Sequence, residues 1–115
     1  MENVQLISGW LTPYAFETIT VSTTAIAFTA ANIEPATVAE RDKGVCRLIR
    51  AFVETDQVRF RDDGQTSESG PNPTATIGNL VEVGTILWFA NLQQMKNTKF
   101  IRVTTDAKVR CTYFR

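Results

Sequence analysis

Asp62 and Asp63, adjacent and followed by Gly64, are the densest carboxylate signal in the chain, with Glu68 nearby. General acid–base work needs two groups converging on one reacting bond. Neighbouring residues in a turn diverge, so this pair reads as turn-forming. Calcium binding would need carboxylates at every second position of the loop, and that pattern is absent. The chain contains no histidine, which removes the commonest general base near neutral pH and the commonest zinc ligand. Cys46 and Cys111 are too few for a thiolate metal site and too far apart for a CxxC motif. Each sits in a strand-like segment and reads as a small core residue, with a disulfide between them left open. Ser8, Ser22, Ser67 and Ser69 lack the Gly-x-Ser-x-Gly setting of a nucleophile. Gly64, Gly70, Gly78 and Gly84 are scattered with no helix following, so no phosphate cradle is expected. Trp88 and Phe89 could offer an aromatic platform to a sugar, but core packing for one and an edge contact for the other is the plainer reading. No catalytic residue, metal site or cofactor is expected, and the chain does not read as an enzyme.

The residues must therefore be positioned for something other than catalysis. At 115 residues the chain is long enough for one domain and for a core that needs no disulfide or metal. No apolar run approaches the roughly 18 residues of a membrane span. The start, Met1-Glu2-Asn3-Val4, lacks the basic lead of a secretory signal, so the protein is expected to stay where it is made. Net charge is zero but unevenly placed. The first forty residues hold Glu2, Glu17, Glu34 and Glu40 and no Lys or Arg. Lys96, Lys99, Arg102, Lys108, Arg110 and Arg115 crowd the end against Asp106 alone. That asymmetry suits complementary patches or a solvated face; a nucleic-acid binder would carry a clear positive excess.

Alternation and turn signals predict an all-β fold: a small antiparallel β-sandwich or jelly roll with at most one or two short helices. Residues 1–18 read as an N-terminal arm and 19–115 as the β-sandwich domain. In the arm Ser8-Gly9 and Thr12-Pro13 interrupt any period, while Trp10, Leu11, Tyr14 and Phe16 supply apolar surface. They could cap the core or anchor a neighbouring subunit, with Trp10 the better anchor. Ile19–Val21 and Ala25–Thr29 read as strands joined by a short hairpin at Ser22–Thr24. Pro35–Arg41 could form a short helix closed by Gly44, or an ordered loop. Val45–Glu54 is a long strand with an Arg on each face, and Gln57–Arg61 reads as its hairpin partner. Asp62–Pro73 should be an exposed polar loop. Thr74–Ile77 reads as a brief strand, Gly84–Phe89 as a firm one, and Ala90–Asn97 as one or two helical turns. Phe100–Thr104 and Lys108–Phe114 close the domain around a turn at Thr105–Ala107.

Several of these segments together resemble a group of small proteins encoded by tailed bacteriophages. The similar stretches are Val58–Gly64 (Val-Arg-Phe-Arg-Asp-Asp-Gly), Pro73–Gly78, Gly84–Phe89, Phe100–Val103, Asp106-Ala107 and Val109–Phe114. The resemblance spans roughly residues 45–115 and departs at the longer 62–73 loop and the 30–44 insertion. It implies a virion structural component of the capsid cement (decoration) type. Such a protein would sit on the head surface, bridge major capsid protein subunits and self-associate, without contact to membrane or nucleic acid. Assembly would take place in the host cytoplasm. The contact elements would be the aromatic arm (Trp10, Leu11, Tyr14, Phe16) and the basic end, with Lys96, Lys99, Arg110 and Arg115 as its partner-binding residues. The alternative is a tail, fibre or head–tail accessory protein, including a glycan-binding module built from Trp10, Trp88 and the 62–73 loop.

Overall fold

The computed structural model describes residues 11–65 and 70–115. Eight strands and three short helices follow in the order β1 (Pro13–Val21), β2 (Ile26–Ala27), α1 (Ala30–Ile33), α2 (Val38–Arg41), β3 (Leu48–Glu54), β4 (Val58–Arg61), β5 (Asn79–Val81), β6 (Ile86–Phe89), α3 (Leu92–Asn97), β7 (Lys99–Arg102) and β8 (Ala107–Phe114). Two four-stranded antiparallel sheets result: sheet A in the order β1-β8-β3-β6 and sheet B in the order β2-β7-β4-β5. The pairings β1 with β8, β2 with β7, β3 with β6 and β4 with β5 lay the first half of the chain antiparallel along the second. Folding that ribbon over also brings β8 against β3 and β7 against β4. This is a jelly roll, the more specific form of the expected sandwich.

The core positions follow the period of two, although Leu48 and Phe114, of the opposite parity, are buried as well. Sheet A turns Ile19, Val21, Ile49, Ala51, Val53, Val109, Cys111 and Tyr113 into the core. Rings bind the layers together: Phe89 of sheet A, Phe60 and Phe100 of sheet B and Phe28 of the β2–α1 link meet mostly edge to face at 5.3–6.5 Å. Such contacts suit the opposed charge of ring edges and faces. Cys46 and Cys111 are both buried free thiols, so the disulfide left open by the sequence is not formed.

The hairpins read from the sequence are corrected. β3 and β4 are consecutive yet lie in different sheets, as do β1 and β2, and β7 and β8. At the β3–β4 corner the Asp56 N–H donates to Glu54 O at 2.9 Å with Thr55 at φ 78°. That tight reversal carries the chain from Val53 in one layer to Val58 in the other. Thr55 is β-branched and left-handed, a costly conformation held by its surroundings. The Thr105 hydroxyl donates to the Asp56 carboxylate, tying the β7–β8 corner to this one.

Three other expectations change. Residues 13–18 are strand, not arm: β1 starts at Pro13, and the boundary drawn after residue 18 falls inside it. Thr12 and Arg115 extend the pairing with reciprocal backbone bonds of 3.0 Å. Residues 1–10 lie outside the described residues. Thr74–Ile77 is a turn, because Thr74 Oγ1 accepts from the N–H groups of Thr76 and Ile77; the strand comes later, at Asn79. Finally, the 30–44 stretch holds two single-turn helices, α1 and α2, so the described helices number three. Among the described residues no helix is long and apolar enough to cross a membrane.

Candidate interaction surface

The residues named for catalysis or metal binding are engaged separately. Asp63 pairs with Arg61 at 2.8 Å, while Asp62 accepts from Gln94 Nε2 at 2.7 Å. The guanidinium of Arg61 holds the Asp63 carboxyl below its ordinary value. Among the described residues no group of three or more His, Cys, Asp or Glu is arranged to hold a metal. Burial, with the charge of Glu17 adding to it, pushes the Cys111 thiol up to about 12, and burial also raises Cys46. Both thiols stay protonated at neutral pH, so neither is an activated nucleophile. Shallow pockets open on the surface. One, of 210 Å³, has Phe28 and Ile33 in its wall and the Glu34–Lys96 ion pair at its rim; another, of 310 Å³, lies against Ile101 and Val103.

Glu17 is a carboxylate turned inward. It lies opposite Cys111 on the inner face of β1 and accepts from Thr29 N at 3.1 Å, Thr29 Oγ1 at 2.6 Å, Asn32 Nδ2 at 3.4 Å and the Tyr113 hydroxyl. Partial burial would raise its pKa, but these donors outweigh that and leave it lowered. Burial first, and Glu17 as acceptor second, push the Tyr113 hydroxyl well above the ordinary tyrosine value. The cluster fastens β1 and β8 to the chain running into α1. All its members are mutually satisfied, as a structural lock requires.

The outer face of sheet A is different. Its register sets Phe16, Thr112, Arg50 and Trp88 in one row across four strands, then Thr18, Arg110, Phe52 and Ile86, then Thr20, Lys108 and Glu54. Phe16 is 61% exposed and Ile86 47%. Arg50, Lys108 and Arg110 outnumber Glu54, so the face is apolar and basic together. Its polar groups hold one another lightly: Arg110 reaches Glu54 and Thr18, Lys108 reaches Thr20 at 2.8 Å, and Arg50 reaches Thr112 at 3.3 Å and lies 5.5 Å from the Phe114 ring. Among the described residues Trp88 Nε1 is buried with no acceptor. A buried donor without a partner is uncommon and costly.

Of the residues expected to bind a partner, Phe16 and Arg110 reach this face. Tyr14 and Arg115 turn to each other, the guanidinium 4.1 Å from the ring centroid, and the Tyr14 hydroxyl donates to Asn32 O. Their side chains are occupied within the fold. Leu11 is half-buried. Lys96 on α3 pairs with Glu34 at 3.0 Å, and Lys99 on sheet B donates to Asn72 at 2.9 Å. Trp10 lies outside the described residues. Trp88 belongs to sheet A whereas the 62–73 loop is tied to sheet B, so the sugar-binding set is not drawn onto one sheet. Arg50, Phe52, Ile86 and Lys108 were missed; the shared parity of Arg50 and Phe52 was the signal that could have found them. No family model, no curated protein and no solved structure matches the chain.

Proposed function

We propose that the protein is a structural component of a tailed-phage virion, of the capsid cement type, that grips major capsid protein subunits through the outer face of sheet A. The observation carrying this reading is the apolar and basic face, which combines exposed Phe16, Ile86, Arg50 and Arg110 with half-buried Phe52, Trp88 and Lys108. Aromatic and Arg side chains at the centre of a patch are the usual carriers of protein–protein binding energy. The jelly roll supports the reading as a rigid two-layer block, although the same architecture also serves lectins. On a lattice each contact can be modest, because many copies and linked sites add avidity.

Co-sedimentation with purified heads lacking the protein tests this. Wild type is expected to pellet with heads, and the Phe16→Asp, Arg110→Glu double variant to remain in the supernatant while keeping its fold. Equal pelleting of both would defeat the assignment of the face. A truncation testing the leading segment has to stop at residue 11, because removing 1–18 would delete most of β1. Occupancy of tails instead of heads would favour the tail or fibre alternative.

A further inference from the structure

We infer that the free edge of β1 pairs antiparallel with β1 of a second copy about a two-fold axis at Thr18, joining two A sheets into one eight-stranded sheet. β1 is the terminal strand of sheet A and, among the described residues, pairs only with β8. Alternate residues of such a strand aim their N–H and C=O groups at solvent, a template for another strand. Proteins usually blunt that hazard with short edges, bulges, prolines or outward charges. The other three edges here are short: β2 has two residues, β5 three and β6 four. β1 has nine. Its one register shift, between Pro13 and Ala15, and its one proline both lie at the start, and Ala15–Val21 runs without interruption. Within that run the only charge is Glu17, turned inward and held by Thr29, Asn32 and Tyr113. Phe16, Thr18 and Thr20 face outward and exposed.

A second copy fits this edge because the segment complements itself. Thr18 is the midpoint of Ala15–Val21. A two-fold there sets Thr18 beside Thr18 of the partner copy, Phe16 beside Thr20 and Glu17 beside Ile19. Thr–Thr and aromatic–β-branched pairs are favourable across strands, and two Glu17 side chains never face directly. Strand spacing places the two Arg110 about 14 Å apart, beyond the screening length of about 8 Å at physiological salt. Their repulsion is therefore weak. The axis stands perpendicular to the sheet, so both outer faces remain on one side and the binding surface doubles.

The inference concerns only the self-association part of the proposed function. It is tested by sedimentation velocity of the full chain over a concentration series. Wild type should shift from monomer to twice the monomer mass. Thr18→Lys, which opposes two ammonium groups at the axis, should stay monomeric. Register is read with cysteine variants under oxidised glutathione, which takes two electrons and two protons from a facing thiol pair. Directly opposed strand residues lie within disulfide reach. Thr18→Cys should crosslink as a homodimer, Thr20→Cys alone should not, and Phe16→Cys mixed with Thr20→Cys should. Native Cys46 and Cys111 are buried and do not compete. A wild-type monomer at every concentration, association that survives Thr18→Lys, or equal crosslinking of Thr20→Cys and Thr18→Cys overturns the inference. Should Thr18→Lys fail to fold, the cysteine series still decides. A monomer that nonetheless pellets with heads sinks this pairing and leaves the cement reading standing; a dimer that ignores heads does the reverse.

Discussion

The two sheets treat their outward arginines in opposite ways. On sheet B, Arg59 donates to Ala75 O at 2.9 Å and Gly78 O at 3.0 Å, Arg61 reaches Gly70 O and Asp63, and Lys99 holds Asn72. The connection after β4 is thereby drawn back onto its own sheet. On sheet A, Arg50 and Arg110 meet only neighbouring side chains and stay exposed beside Phe16 and Ile86. Strand lengths follow the same division, with nine, seven and eight residues in β1, β3 and β8 against two to four throughout sheet B. One sheet spends its polar groups on closing the fold, and the other leaves Phe16, Arg50, Arg110 and Ile86 exposed.

Five substitutions probe that contrast. The contrast is confined to the outer faces, so the shared ring cluster should fail as one unit. Phe89→Ala is expected to cost about 3–5 kcal/mol, with fluorescence and circular dichroism reporting a single urea transition. Separate transitions for the two probes would show that the sheets unfold independently. Next comes the matched pair of arginines. Arg59→Ala should lose about 2 kcal/mol with its two carbonyl bonds, whereas Arg50→Ala should stay within about 0.5 kcal/mol. Urea midpoints giving equal losses would erase the difference between the sheets.

Glu17 sharpens the comparison on the inner side of β1. Its pKa is lowered from the ordinary 4.5, so its contribution is present above that value and fades as pH falls through the lower folded one. Because water still reaches this carboxylate, Glu17→Gln should cost only about 1 kcal/mol at pH 7. The gap between variant and wild type should close in acid, and a gap independent of pH would remove the ionic role. The smallest effect belongs to Trp88→Phe. Deleting an indole N–H that has no acceptor among the described residues should leave the protein unchanged or stabilised by up to about 0.5 kcal/mol, as thermal unfolding would show. A clear loss of thermal stability would mean that the indole serves the fold itself.

Much of the fold could be read from adjacent residues. The alternation Val109-x-Cys111-x-Tyr113 matches the inward face of β8, whereas in β3, with an Arg on each face, only the fold shows that Ile49, Ala51 and Val53 turn inward. The helical turns read at Ala90–Asn97 form as α3, where Asn91 Oδ1 accepts from Gln94 N at 3.0 Å as a cap. Thr74 misled, because its hydroxyl satisfies the backbone locally and makes a β-prone stretch into a turn. The leading segment misled for another reason. Pro13 looks like an interruption, but the start of an edge strand needs no amide donor there. Of the surface, Phe16 and Arg110 stood out by type. Trp88 and Arg50 became neighbours only through the β3–β6 register.

Strand positions, alternating faces and the all-β character were set by neighbouring residues, since side-chain alternation depends only on the local backbone. Partner choice was not. β4 to β5 is the sole consecutive pair of described strands that shares a sheet, while Thr18 meets Arg110 across 92 positions. Nothing local marks such a pair; it forms because closing the ribbon on itself buries both layers at once. That closure places Phe16, Arg110, Arg50 and Trp88 on one face, which no short stretch of the chain could have announced.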